Sequence, residues 1–215
     1  STKFVFMNMN GKPKKPKNLE KIDELFLKII NNCIFTSTHR FENYDYAKAK
    51  FNIEELFWKF FCDIYLEVVK WRVYNGSKRE RESAHYTLYY SLFNILKLFA
   101  PIMPFITEEI YQEYFRKYEK ENSIHISEWP KWDKKQELAE ENWRELGWAN
   151  RFFVFTDTVS NIRRKKSENN KAMNSLIILT LDKKIYNSLR EFHQDFKHVT
   201  NAKEIKEGEF RVEFV

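Results

Sequence analysis

The chain has 215 residues, with 20 Phe, 11 Tyr and 6 Trp but only 4 Gly and 5 Pro. This composition excludes a loop-rich or all-β chain and favours long helices, arranged as one large domain or as one domain with an appendage. The formal net charge of +6 suits a polyanionic partner without requiring one.

The two cysteines, Cys33 and Cys62, do not form a CxxC motif, so neither a disulfide framework nor a zinc site is predicted. Both are expected to be reduced thiols on apolar helix faces, as in a cytoplasmic protein. The sequence shows no signal peptide, transit peptide or membrane-spanning apolar run, so no membrane partner is expected. It begins within an apolar pattern and without Met, which suggests a fragment of a longer protein.

The first third of the chain has the hydrophobic periodicity of long helices. A short apolar segment over residues 2–9 and a lysine- and proline-rich linker over 11–17 precede a helix that Asn18 is predicted to cap. A polar turn is predicted over residues 36–43. A helix of about thirty residues should follow from Asp45 and end at Gly76 in a left-handed cap, a length typical of an antiparallel bundle.

A proline-containing corner lies near the middle of the chain. Ser83 is expected to start a helix that stops before Pro101, because proline disfavours the helical conformation of the residue before it. Pro104 suits the start of the next helix, and Thr107 is predicted to cap it, with Glu108 and Glu109 in its first turn. The corner is expected to be rigid and buried, and the helix to run to about residue 120.

The composition changes after residue 121, and smaller elements are predicted from there. The first are a strand over 123–130 and an acidic run over 137–148, which joins a helix that ends in a basic segment over 161–171. A strand over 175–181, a helix over 183–198 and a strand over 209–215 follow. We therefore predict a mainly α fold with two domains: an antiparallel helical bundle over 1–121 and a connecting segment with a small α+β appendage over 122–215.

Three motifs resemble the anticodon-binding part of valyl-tRNA synthetases, a family of class I aminoacyl-tRNA synthetases. Residues 2–8 (TKFVFMN) are similar to the family's ARFVLMN, residues 60–67 (FFCDIYLE) to EFCDWYLE, and residues 99–112 (FAPIMPFITEEIYQ) to HPFMPFITEELW. Residues 123–130 resemble a family segment that leads away from the bundle, and residues 161–171 resemble its IRxxRxxK segment. Ile64, Ala100 and Tyr111 depart from the family pattern, which leaves room for an isoleucyl- or leucyl-type enzyme.

The resemblance implies a parent enzyme that joins valine to its tRNA with ATP and magnesium. The catalytic HIGH- and KMSKS-like motifs are absent here, and the four glycines are isolated, so no catalytic, metal or cofactor residue is predicted. We expect the fragment to be inactive alone, to act as a monomer, and to have valine tRNA and the catalytic domain of its own chain as partners. The scattered histidines and the adjacent Glu108 and Glu109 do not suggest an active site.

RNA binding needs cations for phosphates and aromatic rings for unstacked bases. The candidate phosphate contacts are Lys70, Arg72, Arg79, Arg81, Arg163, Arg164, Lys165 and Lys166. The candidate base contacts are Arg40, Phe41, Tyr44 and Trp71. The alternative from another class is a non-catalytic scaffold that binds proteins through an apolar face, and its binding would be nearly insensitive to salt.

Overall fold

The computed structural model describes residues 1–7, 9, 11–133 and 147–215, and these form two compact units. The first contains the described residues of 1–66 and 72–133, and the second contains 67–71 and 147–215. The predicted class is confirmed, because the first unit is helical and the second carries a small sheet. Most of the predicted acidic run over 137–148 lies outside the described residues.

The helices before residue 127 follow the predicted order. Helix α3, a π-helical stretch and α4 continue one another and form the long helix predicted from Asp45, whose carboxylate accepts a hydrogen bond from Lys48 N at 3.4 Å. The elements are α1 (Thr2–Met7), α2 (Lys21–Glu42), α3 (Tyr46–Glu55), the π-helical stretch (Leu56–Tyr65), α4 (Leu66–Asn75), α5 (Lys78–Phe99), α6 (Pro104–Ile110), a π-helical turn (Tyr111–Phe115) and a 3-10 turn (Ile124–Ile126).

Helix α2 is longer than predicted, and the turn expected over 36–43 is wrong. The Thr36 and Thr38 hydroxyls donate to the carbonyls of Asn32 and Ile34, at 3.0 and 2.7 Å. Because these bonds satisfy the hydroxyls within the helix, both threonines stay buried in it. Asn18 does not cap α2, which begins at Lys21 without a side-chain cap.

The junction between α4 and α5 also differs from the prediction. Helix α5 begins at Lys78, not at Ser83, because Ser77 and Glu80 form a capping box. Gly76 has φ −68° and is not left-handed. It is needed there for another reason: a Cβ at this position would lie 2.5 Å from the Arg72 carbonyl oxygen.

The proline corner is exposed, so the prediction of a buried corner is wrong. Pro104 occupies the first position of α6 as predicted, but Thr107 does not cap the helix: it is inside it and donates to Met103 O at 2.9 Å. The first turn contains no carboxylate, and Glu108 instead accepts from Ser123 Oγ and Ile124 N. Phe105 is 90% exposed at this corner.

The segment after α6 packs back on the bundle, so the predicted strand over 123–130 and its course away from the bundle are both wrong. Trp129 Nε1 donates to Thr38 Oγ1 at 2.8 Å, and Asp133 N donates to Asn31 Oδ1 at 2.6 Å. The extended residues 127–133 therefore lie against α2 and place a tryptophan near its C-terminal end.

The second unit is a three-stranded sheet with helices, in the strand order β2-β1-β3. Strand β1 pairs in parallel with β2 and antiparallel with β3, and α8 and α9 lie between the parallel strands in sequence, as such a connection requires. The sequence predicted β1, β3 and the intervening helix but missed β2. The elements are α7 (Gly147–Glu168), β1 (Ile177–Leu181), α8 (Lys183–Leu189), a 3-10 turn (Arg190–Phe192), α9 (His193–Thr200), β2 (Ala202–Glu207) and β3 (Arg211–Phe214).

Both cysteines are free thiols, and burial raises the pKa of Cys33 to about 12, so this thiol is protonated and unreactive. Cys62 is only half-buried. In the part of the chain that the structure describes, no helix is long and apolar enough to cross a membrane.

Candidate nucleic-acid interface

Helix α2 ends in a Schellman motif with a tyrosine in the position that usually holds glycine. Asp45 N donates to Arg40 O at 2.8 Å, and Tyr44 N donates to Phe41 O at 3.1 Å. Tyr44 is consequently left-handed, with φ +60°. A side chain in this conformation costs about 1–2 kcal/mol, which glycine would avoid.

The strained tyrosine presents its ring to solvent. The Tyr44 side chain is 79% exposed and touches Tyr46, whose own ring is 53% exposed, with 6.3 Å between the ring centroids. Backbone strain that a fold retains is concentrated at functional sites. The two tyrosines therefore form an open aromatic surface on which unstacked bases could lie.

The other predicted residues of this region support the two tyrosines. Phe41 is half-buried between the rings of Tyr46 and Trp129, with centroids 5.8 and 5.4 Å away. Arg40 is partly exposed, with its guanidinium 3.6 Å from the Asp45 carboxylate. We call this cluster of Arg40, Phe41, Tyr44, Tyr46 and Trp129 the aromatic end.

The predicted cations Arg79 and Arg81 lie in the first turn of α5. The sequence placed them after a helix C-terminus, where the dipole would favour positive charge. The structure reverses this, because a helix N-terminus carries the positive end of the dipole and disfavours cations. Arg79 is exposed and pairs at 2.8 Å with the half-buried Glu20 carboxylate, and Arg81 is exposed.

Arg72 is not a phosphate contact in this structure, which corrects the prediction. Its side chain is 3% exposed, and its guanidinium makes two hydrogen bonds to the Asp23 carboxylate, at 2.6 and 2.7 Å. Tyr65 and Ser83 also donate to this carboxylate, at 2.7 and 2.5 Å. The charge of Arg72 is therefore used inside the bundle.

Lys70 and Trp71 belong to the second unit. The Lys70 ammonium lies 2.5 Å from the Glu67 carboxylate and remains exposed. One face of the Trp71 indole is stacked on His198, with centroids 3.8 Å apart and an interplanar angle of 6°. Trp71 is only partly exposed, so it offers less surface to a base than Tyr44 does.

The four consecutive cations at the end of α7 have different surroundings. Arg164 is exposed near Glu168, Arg163 is half-buried, and the Lys165 ammonium lies 5.6 Å from the centre of the Phe210 ring. Successive helix positions point in different directions, so only part of such a run can face one partner.

Lys166 is buried, so the structure also corrects its prediction as a phosphate contact. It is 1% exposed, and its ammonium donates to the carbonyls of Met173, Ser175 and Thr200, each at 2.8 Å. Three bonds satisfy all three of its protons. Burial and the neighbouring Arg163 lower the pKa of this ammonium. Lys166 thus ties loops of the second unit together and is not available to a phosphate.

The first-unit candidates lie at opposite ends of α2. Arg79 pairs with Glu20 at the start of the helix, and Arg40 and Tyr44 lie at its other end. Twenty residues at 1.5 Å each separate Glu20 from Arg40 by about 30 Å. The structure brings Arg40, Phe41 and Tyr44 together, and separately Arg79 and Arg81.

Two aromatic residues of this surface were missed by sequence reasoning. Tyr46 was assigned to the apolar stripe of its helix, and Trp129 was assigned to a strand. The Trp-Pro-Lys-Trp sequence at 129–132 was an available signal, since two tryptophans in an extended segment need an apolar surface to cover. Across the described residues, no group of three or more His, Cys, Asp or Glu side chains could hold a metal ion.

Comparison with known proteins gives a consistent family. Residues 23–181 match the model of the anticodon-binding domain of tRNA ligases. The chain is 34% identical to a valine–tRNA ligase of Haloarcula marismortui over 77% of its residues, 37% identical to one of Wolbachia pipientis over 82%, and 34% identical to one of Rickettsia rickettsii over 96%. It spans only 16%, 19% and 26% of the lengths of these relatives.

Proposed function

Because the chain belongs to the anticodon-binding domain family of tRNA ligases, we propose that it binds the anticodon region of a tRNA. The observation that carries this proposal is the exposed aromatic end of α2, where Tyr44 is held open in a strained conformation. An anticodon lies in a single-stranded loop, and proteins recognise such loops by splaying bases out and stacking them on aromatic side chains.

The residues of the aromatic end have different roles in binding. The Tyr44 and Tyr46 rings stack on bases, each stack contributing about 1–3 kcal/mol. Phe41 packs against Tyr46 and holds it in place, and Trp129 packs against Phe41 in turn. Arg40 reaches a phosphate or a base edge, since its guanidinium has donors beyond those that Asp45 can occupy.

The cations that keep accessible surface position the RNA without reading its sequence. Arg79 and Arg81 act at the start of α5, and Lys70, Arg163, Arg164 and Lys165 act from the second unit, together with the accessible part of Trp71. Arg72 and Lys166 have no part in this proposal, because their charges are buried against protein groups.

We further propose that the parent protein is a valine–tRNA ligase, as the relatives compared above are named. The parent would act in the cytoplasm as a monomer, and its partners would be valine tRNA and the catalytic domain of the same chain. No residue of this chain is assigned to ATP or magnesium: its glycines are isolated, and its described carboxylates and histidines form no metal-binding group. Those reactants would bind the catalytic domain, so this chain alone should not aminoacylate tRNA.

The test is to measure binding of the chain to valine tRNA and to the same tRNA with a replaced anticodon, at two salt concentrations. We expect weaker binding to the replaced anticodon and a steep loss of affinity for both RNAs as salt rises. Removing the Tyr44 ring should also weaken binding. Phe105→Ala, which removes an exposed ring at the proline corner instead, is the matched control.

Two results would contradict the proposal. Equal binding to both tRNAs would mean that the chain contacts RNA without reading the anticodon. Absence of RNA binding, combined with salt-insensitive binding to a protein partner, would favour the scaffold alternative.

A further inference from the structure

A groove of about 840 Å³ lies in the first unit, between the linker before α2 and one face of α5. Lys12, Lys14 and Lys15 line it on the linker side. Lys78, Arg81 and His85 line it on the helix side, where the spacing of three and four residues places them on one helical face.

The groove is strongly cationic. Its described lining residues include five lysine and arginine side chains and a single carboxylate, that of Glu82. The Lys78 ammonium lies 3.9 Å from this carboxylate. The Lys12 ammonium pairs at 2.7 Å with Glu119, a residue that does not line the groove. Lys14, Lys15 and Arg81 are exposed, so their charges are available to an anion.

The position of these cations is not explained by the stability of α5. Lys78 and Arg81 lie in its first turn, where the helix dipole opposes positive charge by about 0.3–1 kcal/mol for each residue. A bound anion would reverse this effect, because it would interact favourably with the helix N-terminus and with both side chains. The arrangement therefore suits a ligand better than it suits the free helix.

The linker is shaped to hold its lysines beside the helix. Gly11 has φ +105°, a conformation open to glycine, and the two prolines that follow restrict the backbone to extended conformations. Lys12 anchors the segment through Glu119 and lies 6.0 Å from the centre of the Tyr89 ring. This anchoring leaves the adjacent Lys14 and Lys15 along the groove.

A histidine in the groove has an unsatisfied polar atom. His85 Nε2 is buried and has no hydrogen-bond partner among the described residues. The rest of the His85 side chain is only half-buried and lines the groove. Because this nitrogen has almost no accessible surface, an anion in the groove does not reach it, and His85 contributes only to the groove wall.

We propose that this groove binds consecutive phosphates of the RNA backbone, with Lys14 and Lys15 on one side and Arg81 on the other. This inference rests on the proposed function and assigns it a second binding surface. The volume and the cations on both walls suit a length of phosphodiester chain better than one small anion. Lys14 and Lys15 are the residues that sequence reasoning treated as a linker.

The experiment compares the double variant Lys14→Gln/Lys15→Gln with Lys183→Gln/Lys184→Gln. Each variant removes two exposed adjacent lysines and therefore the same net charge, but the second pair lies at the start of α8 in the second unit and does not line the groove. Affinity for valine tRNA is measured over a range of salt concentrations. Both pairs are exposed, so neither variant should unfold the chain, and circular dichroism checks this.

We expect the groove variant to bind about tenfold or more weakly near physiological salt, and to reduce the slope of log affinity against log salt by about 2. The control should stay within about twofold of the unmodified chain. Arg81→Gln should lower the slope further, by about 1.

Two outcomes would overturn the inference, and they can be told apart. If the unmodified chain binds tRNA and both double variants bind equally well, the groove does not hold the backbone, while the proposed function stands. If the unmodified chain binds no RNA at any salt concentration, the proposed function and the groove inference both fail.

Discussion

At the scale of single residues, Tyr44 keeps an exposed ring at a position where glycine would make the chain more stable. A Schellman motif needs a left-handed residue, and glycine fits there without strain. Among the described residues, the other non-glycine residues with left-handed backbone are Asn170 and Asn201, of a type that tolerates the conformation. Tyr44 is different, since a bulky ring occupies the strained position and remains exposed.

We predict that Tyr44→Gly stabilises the chain and weakens its binding to RNA. Relief of the left-handed strain should slow hydrogen exchange at the C-terminal amides of α2 by an amount equivalent to about 1 kcal/mol. Loss of the ring should lower the affinity for valine tRNA about tenfold, the effect of one lost stack.

Two variants control this prediction. Tyr44→Ala removes the ring but keeps a side chain at the strained position, so it should weaken RNA binding without the gain in stability. Asn201→Gly should change little, because asparagine already suits its conformation. Unchanged RNA affinity in both Tyr44 variants would remove this residue from the site.

The fate of individual cations could not be predicted from the sequence. Arg72 and Arg79 lie in the same basic stretch, but one is buried against Asp23 and the other is exposed. The partner that decides this, Asp23, is 49 residues away in the sequence, on another helix. Local pattern identifies a basic region and does not reveal such distant contacts.

At the scale of elements, the buried Asp23 carboxylate joins α2 to three other helical segments. It accepts from Tyr65 of the π-helical stretch, Arg72 of α4 and Ser83 of α5. Burial and the Asp23 charge raise the pKa of the Tyr65 phenol, so it remains a proton donor. Every one of these segments is fixed in register against α2 through one acceptor group.

We predict that Arg72→Met strongly destabilises the bundle. It removes two hydrogen bonds and leaves the Asp23 carboxylate without a compensating charge, which costs about 3–5 kcal/mol in buried pairs. Urea unfolding followed by circular dichroism measures the loss.

The matched control is Arg79→Met, which removes the same charge from a surface pair in which Arg79 is exposed and Glu20 is half-buried. Exposed pairs contribute about 0–1 kcal/mol, so this variant should unfold almost as the unmodified chain does. Similar stability for the two variants would mean that Asp23 finds other compensation when Arg72 is lost.

The junction between α4 and α5 explains why some helix ends were misplaced. Sequence reasoning assigned Gly76 to a left-handed cap, but its missing side chain instead allows close approach to the Arg72 carbonyl. It also overlooked the Ser77–Glu80 capping box and began α5 at Ser83. Ser83 is an interior residue whose hydroxyl is satisfied by Asp23, a contact that no local signal reveals.

At the scale of the whole molecule, the sequence was a good guide to elements with strong periodicity. The long helix from Asp45 and strand β1 follow directly from apolar spacing. Strand β2 was missed because its Ala-Lys-Glu-Ile-Lys-Glu sequence has little apolar character and one buried residue. The exposed Phe105 shows the converse error, since an apolar segment was assumed to be covered.

The length of α2 sets the separation between the aromatic end and the start of α5. Since this separation is about 30 Å, a short RNA can reach one binding surface at a time, whereas a longer RNA can occupy both. The second contact is then intramolecular, and its benefit depends on effective concentration. Helix α2 would thus act as a molecular ruler.

This spacing predicts a threshold in RNA length. A nucleic-acid strand with the spacing of B-form DNA, about 3.4 Å per nucleotide, would need roughly nine nucleotides to span the helix. Affinity measured over a series of oligonucleotides should rise gradually below that length and then increase about a hundredfold across it. The Lys14→Gln/Lys15→Gln variant should lose most of the increase and keep the affinity of the shorter oligonucleotides for the aromatic end, because Arg81 alone would hold the RNA in the groove weakly.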